Sequence, residues 1–224
     1  MSHVPPTKRH PYDQWAPDAR ALDLVGDKWT LLIARDLMSG PRRFVELQRV
    51  LPGISTEQLR SRLNRMVADG LLTRSRYREV PPRVDYALTD RGRELAPVLG
   101  ELARWGWRWA WSEPRASERV DVGAIVRLLP GLTQAGAGGS GTVELAISDA
   151  RDGGALVYLA TLREQGPATI RELQTPGESC DARVSGSTDA WVSALGPDRK
   201  RSSLRISGDR ALATALLELI SPPR

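Results

Sequence analysis

The sequence is short of the side chains that most chemistry uses. It has one cysteine, Cys180, so no intrachain disulfide and no cysteine-rich metal site can form. A lone thiol suits a reducing compartment. Its two histidines, His3 and His10, both lie in the first ten residues. No folded segment therefore owns an imidazole for a Ser-His-Asp or Cys-His arrangement, or for a histidine-rich metal site. No stretch of 18 uncharged apolar residues occurs, which excludes a membrane-spanning helix. The N-terminus has basic residues but no apolar core of a secretory signal, and it reads as a short tail. These absences point away from an enzyme. The expectation is a cytoplasmic protein with no catalytic set, no cofactor, no metal and no membrane partner.

What the sequence has is arginine, unevenly spread. Met1 to Ser117 carries 20 Lys+Arg against 14 Asp+Glu; Glu118 to Arg224 carries 12 against 13. Between Gly40 and Asp85 ten arginines face five acids. A basic excess attracts polyanions, and the guanidinium fork fits phosphate and guanine edges. An arginine-rich proteome would explain the count alone, but the second half balances its arginines with acids.

Periodicity gives the organisation of the first half. Apolar positions from Asp18 to Val25 predict a short helix. Asp27 caps a second, with Trp29, Leu31, Leu32, Ile33, Leu37 and Met38 apolar nearly all round, hence a buried central helix. Gly40-Pro41 ends it, and a third helix spans about Arg43 to Leu51. Ser55 with Gln58 three residues on is a capping box. It opens a fourth helix, about Thr56 to Asp69, that buries Leu59, Leu63, Met66 and Val67. Its opposite face carries Gln58, Ser61, Asn64 and Arg65, flanked by Arg60 and Arg62. Alternation over Leu71–Arg78 and Arg83–Leu88, around Val80-Pro81-Pro82, predicts a hairpin. Thr89-Asp90 caps a last long helix running through Leu95 into Trp105.

Three helices followed by a basic hairpin make a winged helix-turn-helix. A major groove admits one α-helix, and the motif aims the N-terminal part of its second helix at base edges. A capped helix start also turns N–H groups toward phosphate. The candidate DNA-contacting residues are Arg42, Arg43, Ser55, Thr56, Gln58, Arg60, Ser61, Arg62, Asn64 and Arg65, with Arg76, Arg78 and Arg83 on the hairpin. Arg74 belongs to the same basic hairpin.

The strings "ARALDLVGDKWTLLIARDLMSGPRRFVEL", "LPGISTEQLRSRLNRMVADGLL" and "YREVPPRVDYALTDRGREL" resemble the HxlR-type winged-helix transcription regulators over Ala19 to Trp105. The resemblance implies a DNA-binding homodimer that regulates transcription, joined through its terminal helices. It implies Thr56 to Arg65 as the recognition segment and Arg78 to Arg83 as the wing tip. Many members carry a cysteine four residues before the arginine that Arg20 matches, some sensing oxidants with it. Ala16 stands there instead, so thiol sensing by that route is not expected.

"SEPRAS", Ser112 to Ser117, breaks the helical pattern and marks a boundary. A short helix is expected around Asp121 to Leu129. Gly136 to Gly141 spells G-x-G-x-x-G, but it precedes a strand instead of following one, so it reads as a turn. Strands follow at Thr142–Ser148, Ala155–Leu162, Thr169–Leu173, Cys180–Ser185 and Leu204–Ser207. Helices are capped by Ser187 and Asp209. Cys180 alternates with Ala182 and Val184, as a core residue would. The run "DARVSGSTDAWVSALGPDRKRSSLRISGDRALATALLELI" resembles the C-terminal part of sterol-carrier-protein-type lipid-binding domains. That implies a five-stranded sheet with helices around an apolar tunnel; a filled core serving only dimerisation stays open beside it.

Trp105, Trp107, Trp109 and Trp111 form two i, i+4 stripes on opposite helix faces. They serve interface packing, or one stripe borders a ligand cavity. Trp107, Trp111 and Trp191 are the candidates for contacting a hydrophobic small molecule.

The expected fold class is α+β: a winged helix-turn-helix domain over 12–112 for DNA binding and dimerisation, then a sterol-carrier-like α+β domain over 118–221 with an antiparallel sheet and flanking helices. The expected partners are double-stranded DNA with an inverted-repeat operator, a second copy of the chain, and a hydrophobic small molecule. When bound to its operator the protein would sit on the bacterial nucleoid.

Overall fold

The computed structural model describes residues 11–78, 83–133, 139–148 and 154–223. The wing tip at Val80-Pro81-Pro82, the glycines at 136 and 138 and both histidines fall outside them. The chain packs into two compact units, one ending at Leu95 and the other beginning at Ala96. Among the described residues no helix is long and apolar enough to cross a membrane.

The first unit opens with α1 (Pro17–Val25), where Pro17 sits in the first turn and needs no hydrogen-bond donor there. α2 (Thr30–Asp36) is held by Asp27, whose Oδ1 accepts from the backbone N–H of Trp29 and Thr30 at 2.8 and 3.1 Å. β1 (Arg42–Arg43), α3 (Phe44–Val50) and α4 (Thr56–Ala68) follow. Ile33, Leu37, Leu47, Leu59, Leu63 and Met66 are buried and bring the three helices together. α4 stops at Gly70, whose φ of +70° turns the chain out and lets Leu71 N–H reach the Met66 carbonyl at 2.9 Å. β2 (Leu72–Tyr77) and β3 (Arg83–Leu88) then form the hairpin, in register from Leu72 opposite Leu88 to Tyr77 opposite Arg83. β1 adds to β3, with Arg42 opposite Tyr86, giving the order β1-β3-β2.

The long helix expected after Thr89 is two helices. α5 (Asp90–Arg93) ends after one turn and α6 (Ala96–Trp109) starts anew. Pro97 explains the break: it has no N–H, and its ring would clash with the carbonyl of Arg93 in a continuous helix. The packing boundary falls at this break, ahead of the sequence boundary at Ser112–Ser117.

α6 therefore packs within the second unit. It crosses α8 (Leu129–Leu132) so closely that a Cβ on Gly100 would lie 1.9 Å from the Gly131 carbonyl oxygen, and a Cβ on Gly131 equally close to that of Ala96. Only glycine fits either position. α7 (Val122–Val126) is capped by Asp121, whose Oδ1 accepts from Ala124 N–H. β4 (Gly141–Ser148), β5 (Ala155–Leu162) and β6 (Thr169–Leu173) make a meander. Then come β7 (Ala182–Ser187), α9 (Thr188–Leu195), β8 (Arg205–Gly208) and α10 (Arg210–Leu219). Ser187 and Asp209 cap their helices as the sequence predicts.

The five strands run β6-β5-β4-β7-β8. The sheet expected to be antiparallel is mixed: β4 and β7 pair in parallel from Val143 opposite Ala182 to Ser148 opposite Ser187. The meander turns twice, and the segment after β6 crosses back so that β7 enters beside β4 in the same direction. That segment binds the sheet on its way. Gly177 N–H donates to the buried carboxylate of Glu144 at 2.8 Å, and Glu144 pairs with Arg183. Asp181 accepts from the Thr142 N–H and hydroxyl at 2.7 and 2.8 Å, and these bonds hold its carboxyl below the usual range. Cys180 lies in this crossing segment, half-buried, outside the strand expected to contain it. The alternation there starts only at Ala182, since Asp181 is spent on Thr142.

Candidate nucleic-acid interface

α3 and α4 form the helix-turn-helix. The turn between them is braced by Gln48 Nε2, which donates to Thr56 Oγ1 at 2.8 Å. The capping box closes both ways: Ser55 Oγ accepts from Gln58 N–H at 3.1 Å, and Gln58 Oε1 accepts from Ser55 N–H at 3.0 Å. α4 is thus fixed at its start and buries Leu59, Leu63 and Met66 below. Its opposite face exposes Glu57, Arg60, Ser61 and Asn64. Arg65 is half-buried beside them.

The geometry sorts the arginines. Arg43 stands exposed at the start of α3, while its backbone N–H donates to Glu46 at 2.7 Å. Arg42 turns inward instead: it is 9% exposed, and its Nε donates to the Asp36 carbonyl oxygen at 2.8 Å, tying β1 to the end of α2. Arg62 pairs with Asp27 at 3.0 Å, so it links α4 to the cap of α2. On the hairpin, Arg74, Arg76 and Arg78 are exposed. Arg83 is drawn back by Asp85 at 2.7 Å and lies 5.5 Å from the Tyr77 ring across the strand pair. Asp85 is itself buried, so this pair anchors the wing.

Ser55 and Gln58 spend their side chains on the cap. A bidentate adenine contact needs the amide oxygen of glutamine, which here already accepts from Ser55. Glu57 is not among the residues that the sequence marks for DNA, since an acid does not attract phosphate. The signal was present in the i, i+4, i+7 row it forms with Ser61 and Asn64.

The three tryptophans assigned to a ligand lie in the second unit. Trp107 is half-buried on α6. Trp111 is 40% exposed, and its indole N–H donates to the Leu195 carbonyl oxygen at the end of α9. Trp191, on the same α9, is fully buried and donates to Ala146 in β4 at 3.0 Å. α9 therefore relates Trp111 and Trp191, each through a satisfied indole. A cleft elsewhere in this unit is lined by Asp198, Arg199, Arg201 and Glu218, and is polar. Burial pushes the Glu218 carboxyl up, but hydrogen bonds and the charges of Arg199 and Arg201 outweigh it and hold it below its usual range.

The HxlR-like helix-turn-helix family profile matches residues 24–114. The HTH-type transcriptional regulator sll1512 of Synechocystis sp. is 42% identical over 97 residues, which make up 43% of this chain and 72% of that protein. The HTH-type transcriptional regulator YvaP of Bacillus subtilis is 38% identical over 90 residues, 40% of this chain and 83% of that one. Among solved structures, the redox regulator HypR in its oxidised form is 36% identical, covering 41% of this chain and 94% of that chain with a TM-score of 0.40. The profile match begins within α1, includes the capped α4 and the hairpin, and ends after α6. Through this segment the protein belongs to the HxlR-like helix-turn-helix family of transcriptional regulators.

Proposed function

We propose that the protein is a homodimeric, sequence-specific DNA-binding repressor whose second unit senses a hydrophobic small molecule. The observation that carries the DNA reading is the outward face of α4, fixed by the capping box and the Gln48–Thr56 brace. A helix so held presents side chains to a groove at little entropic cost. Arg43, Arg60, Ser61, Asn64 and Arg65 form the contacting set, with Arg76 and Arg78 on the backbone. Arg42, Arg62 and Arg83 support the interface from within. Dimerisation is assigned to the terminal helices. On α6 the row Val98, Leu102, Trp105 and Trp109 is exposed, four large apolar side chains at i, i+4, i+7, i+11. Ala16 leaves this chain without the thiol expected of redox sensing in the family.

Two recognition helices related by a twofold axis read an inverted repeat with half-sites about one helical turn apart, or a multiple of it. Footprinting on the native upstream region tests this. Protection of two symmetric half-sites is expected; asymmetric, sequence-independent protection sinks it. The sensor role rests on the likeness of Asp181–Ile220 to lipid-carrier domains. A second reading has the unit as a constitutive appendage, favoured by the complete burial of Trp191 with its indole N–H already bonded. Native mass spectrometry for a co-purified hydrophobe, followed by operator titration with and without it, separates the two. A ligand that leaves operator affinity unchanged rejects the sensor.

A further inference from the structure

Glu57 stands in the middle of the outward face of α4, in one row with Ser61 and Asn64 and opposite Leu59, Leu63 and Met66. Its side chain is 81% exposed. The other charged groups around it on this face, Arg60 and Arg65, are cationic. A carboxylate here has few favourable partners on DNA. Phosphate oxygens repel it, and guanine O6, guanine N7 and thymine O4 are all acceptors. The donors on the major-groove floor are the exocyclic amines of cytosine and adenine. Adenine sets an N7 acceptor beside its amine, so a carboxylate meets attraction and repulsion together. Cytosine has no acceptor of its own beside N4, which is flanked on one side only, by O6 of the paired guanine.

Within the protein, Arg60 Nη1 lies 3.3 Å from a Glu57 carboxylate oxygen. The arginine side chain is 62% exposed, and an i, i+3 pair so open to water is weak. It does not keep the carboxylate from a base, and it does not account for an acid in a groove-facing row.

Resting on the operator-binding reading above, we propose that Glu57 is a specificity-determining residue: it accepts a hydrogen bond from cytosine N4 in the major groove. Each half-site then carries a C·G pair under the first turn of α4. The acid also excludes guanine and thymine at that position on the contacted strand, because either would set an acceptor against it.

The test is selection from a randomised duplex pool by the full-length protein and its Glu57→Ala and Glu57→Gln variants, followed by titration of single-base changes. The wild type is expected to enrich an inverted repeat with one cytosine fixed in each half-site. Replacing that cytosine should weaken wild-type binding about 5- to 150-fold, the range for a lost base-specific contact. Glu57→Ala should bind all four bases there within about twofold, and Glu57→Gln should shift the preference toward adenine, which a carboxamide can fork. Both variants should bind random-sequence DNA at least as tightly as the wild type, since an anion has left a surface facing phosphates. If Glu57→Ala enriches the same base as the wild type at every position, the proposal is overturned while the operator reading survives. If the wild type itself enriches no repeat, the operator reading falls and takes this proposal with it.

Discussion

The two units differ in which of their arginines are paired with acids. In the first, on the face proposed above to meet DNA, Arg43, Arg60, Arg74, Arg76 and Arg78 are exposed. In the second, several arginines are tied to acids on the same unit, while Arg163, Arg205 and Arg210 are exposed. Arg127 meets Asp121, Arg171 meets Glu178, Arg183 meets Glu144, and Arg199 and Arg201 share Glu218. Arg127 is the extreme case. It is 1% exposed, donates to the Tyr158 hydroxyl at 2.7 Å and pairs with Asp121 at 2.6 Å. The contrast teaches that an arginine count does not make a nucleic-acid surface. The placement of acids decides which arginines stay available, as in the first unit, where Asp27 and Asp85 hold Arg62 and Arg83.

The comparison can be broken most forcefully at Arg127. Arg127→Ala leaves Asp121 and the Tyr158 hydroxyl without their buried cation. It should destabilise the second unit by about 1.5–3 kcal/mol, the cost of losing hydrogen bonds to a charged group that is itself fully buried. Denaturant unfolding should show that transition moving while DNA binding by protein that stays folded is kept; an equal shift in both units would contradict the division. Asn64→Ala should relax preference at one operator position by about 1–3 kcal/mol, read from single-base titrations, if it forks adenine. Gln58→Ala should behave differently. It removes one of the two bonds of the capping box, so it should lower stability by about 0.5–1.5 kcal/mol in thermal melts and leave the selected sequence largely intact. Arg76→Ala and Arg78→Ala should each lower the salt dependence of binding by about one unit on every sequence tried. A change in sequence preference instead would assign the wing to base reading.

Smaller effects belong to the second unit's surface. The folded pKa of Glu218 lies below its unfolded value, so its contribution is complete above the unfolded value and disappears as pH falls through the folded one. Acid titration should therefore destabilise the second unit below the ordinary glutamate range, with a shallower slope in Glu218→Gln. Smallest of all, Cys180→Ser should leave DNA binding under mild peroxide unchanged in mobility-shift assays. Loss of binding in the wild type alone would restore a thiol switch.

Much of the first unit was legible because its signals are local. Ser55 and Gln58 announce the start of α4, Gly70 its end, and the alternation around the double proline the hairpin. β1 was not legible, since two residues carry no period. The break before α6 had a local signal in Pro97, overridden by an apolar pattern that runs on past it. Arg83 had a local signal in Asp85, two residues on along β3, but the inward turn of Arg42 and Arg62 could not be read from their own neighbourhoods. Arg62 is drawn to an aspartate that precedes the whole motif, and Arg42 to a backbone carbonyl. In the second unit the strands and both helix caps were visible. The parallel pairing was not, because alternation fixes which face a side chain takes but not which strand lies next door.

That pairing has a consequence for synthesis. β4, β5 and β6 can close as a meander as soon as they leave the ribosome. The second edge of β4 waits for β7, with Glu144 and its partner Arg183 thirty-nine residues apart. In that interval β4 offers a row of unpaired backbone groups, with Val143, Leu145 and Ile147 along one face. Such an edge is a template for a neighbouring nascent chain. Faults in the second unit should therefore surface first as insoluble protein, sensitive to growth temperature and expression rate, and only afterwards as altered gene control. A chain cut before Ala182 is expected in the pellet, whatever the state of its first unit.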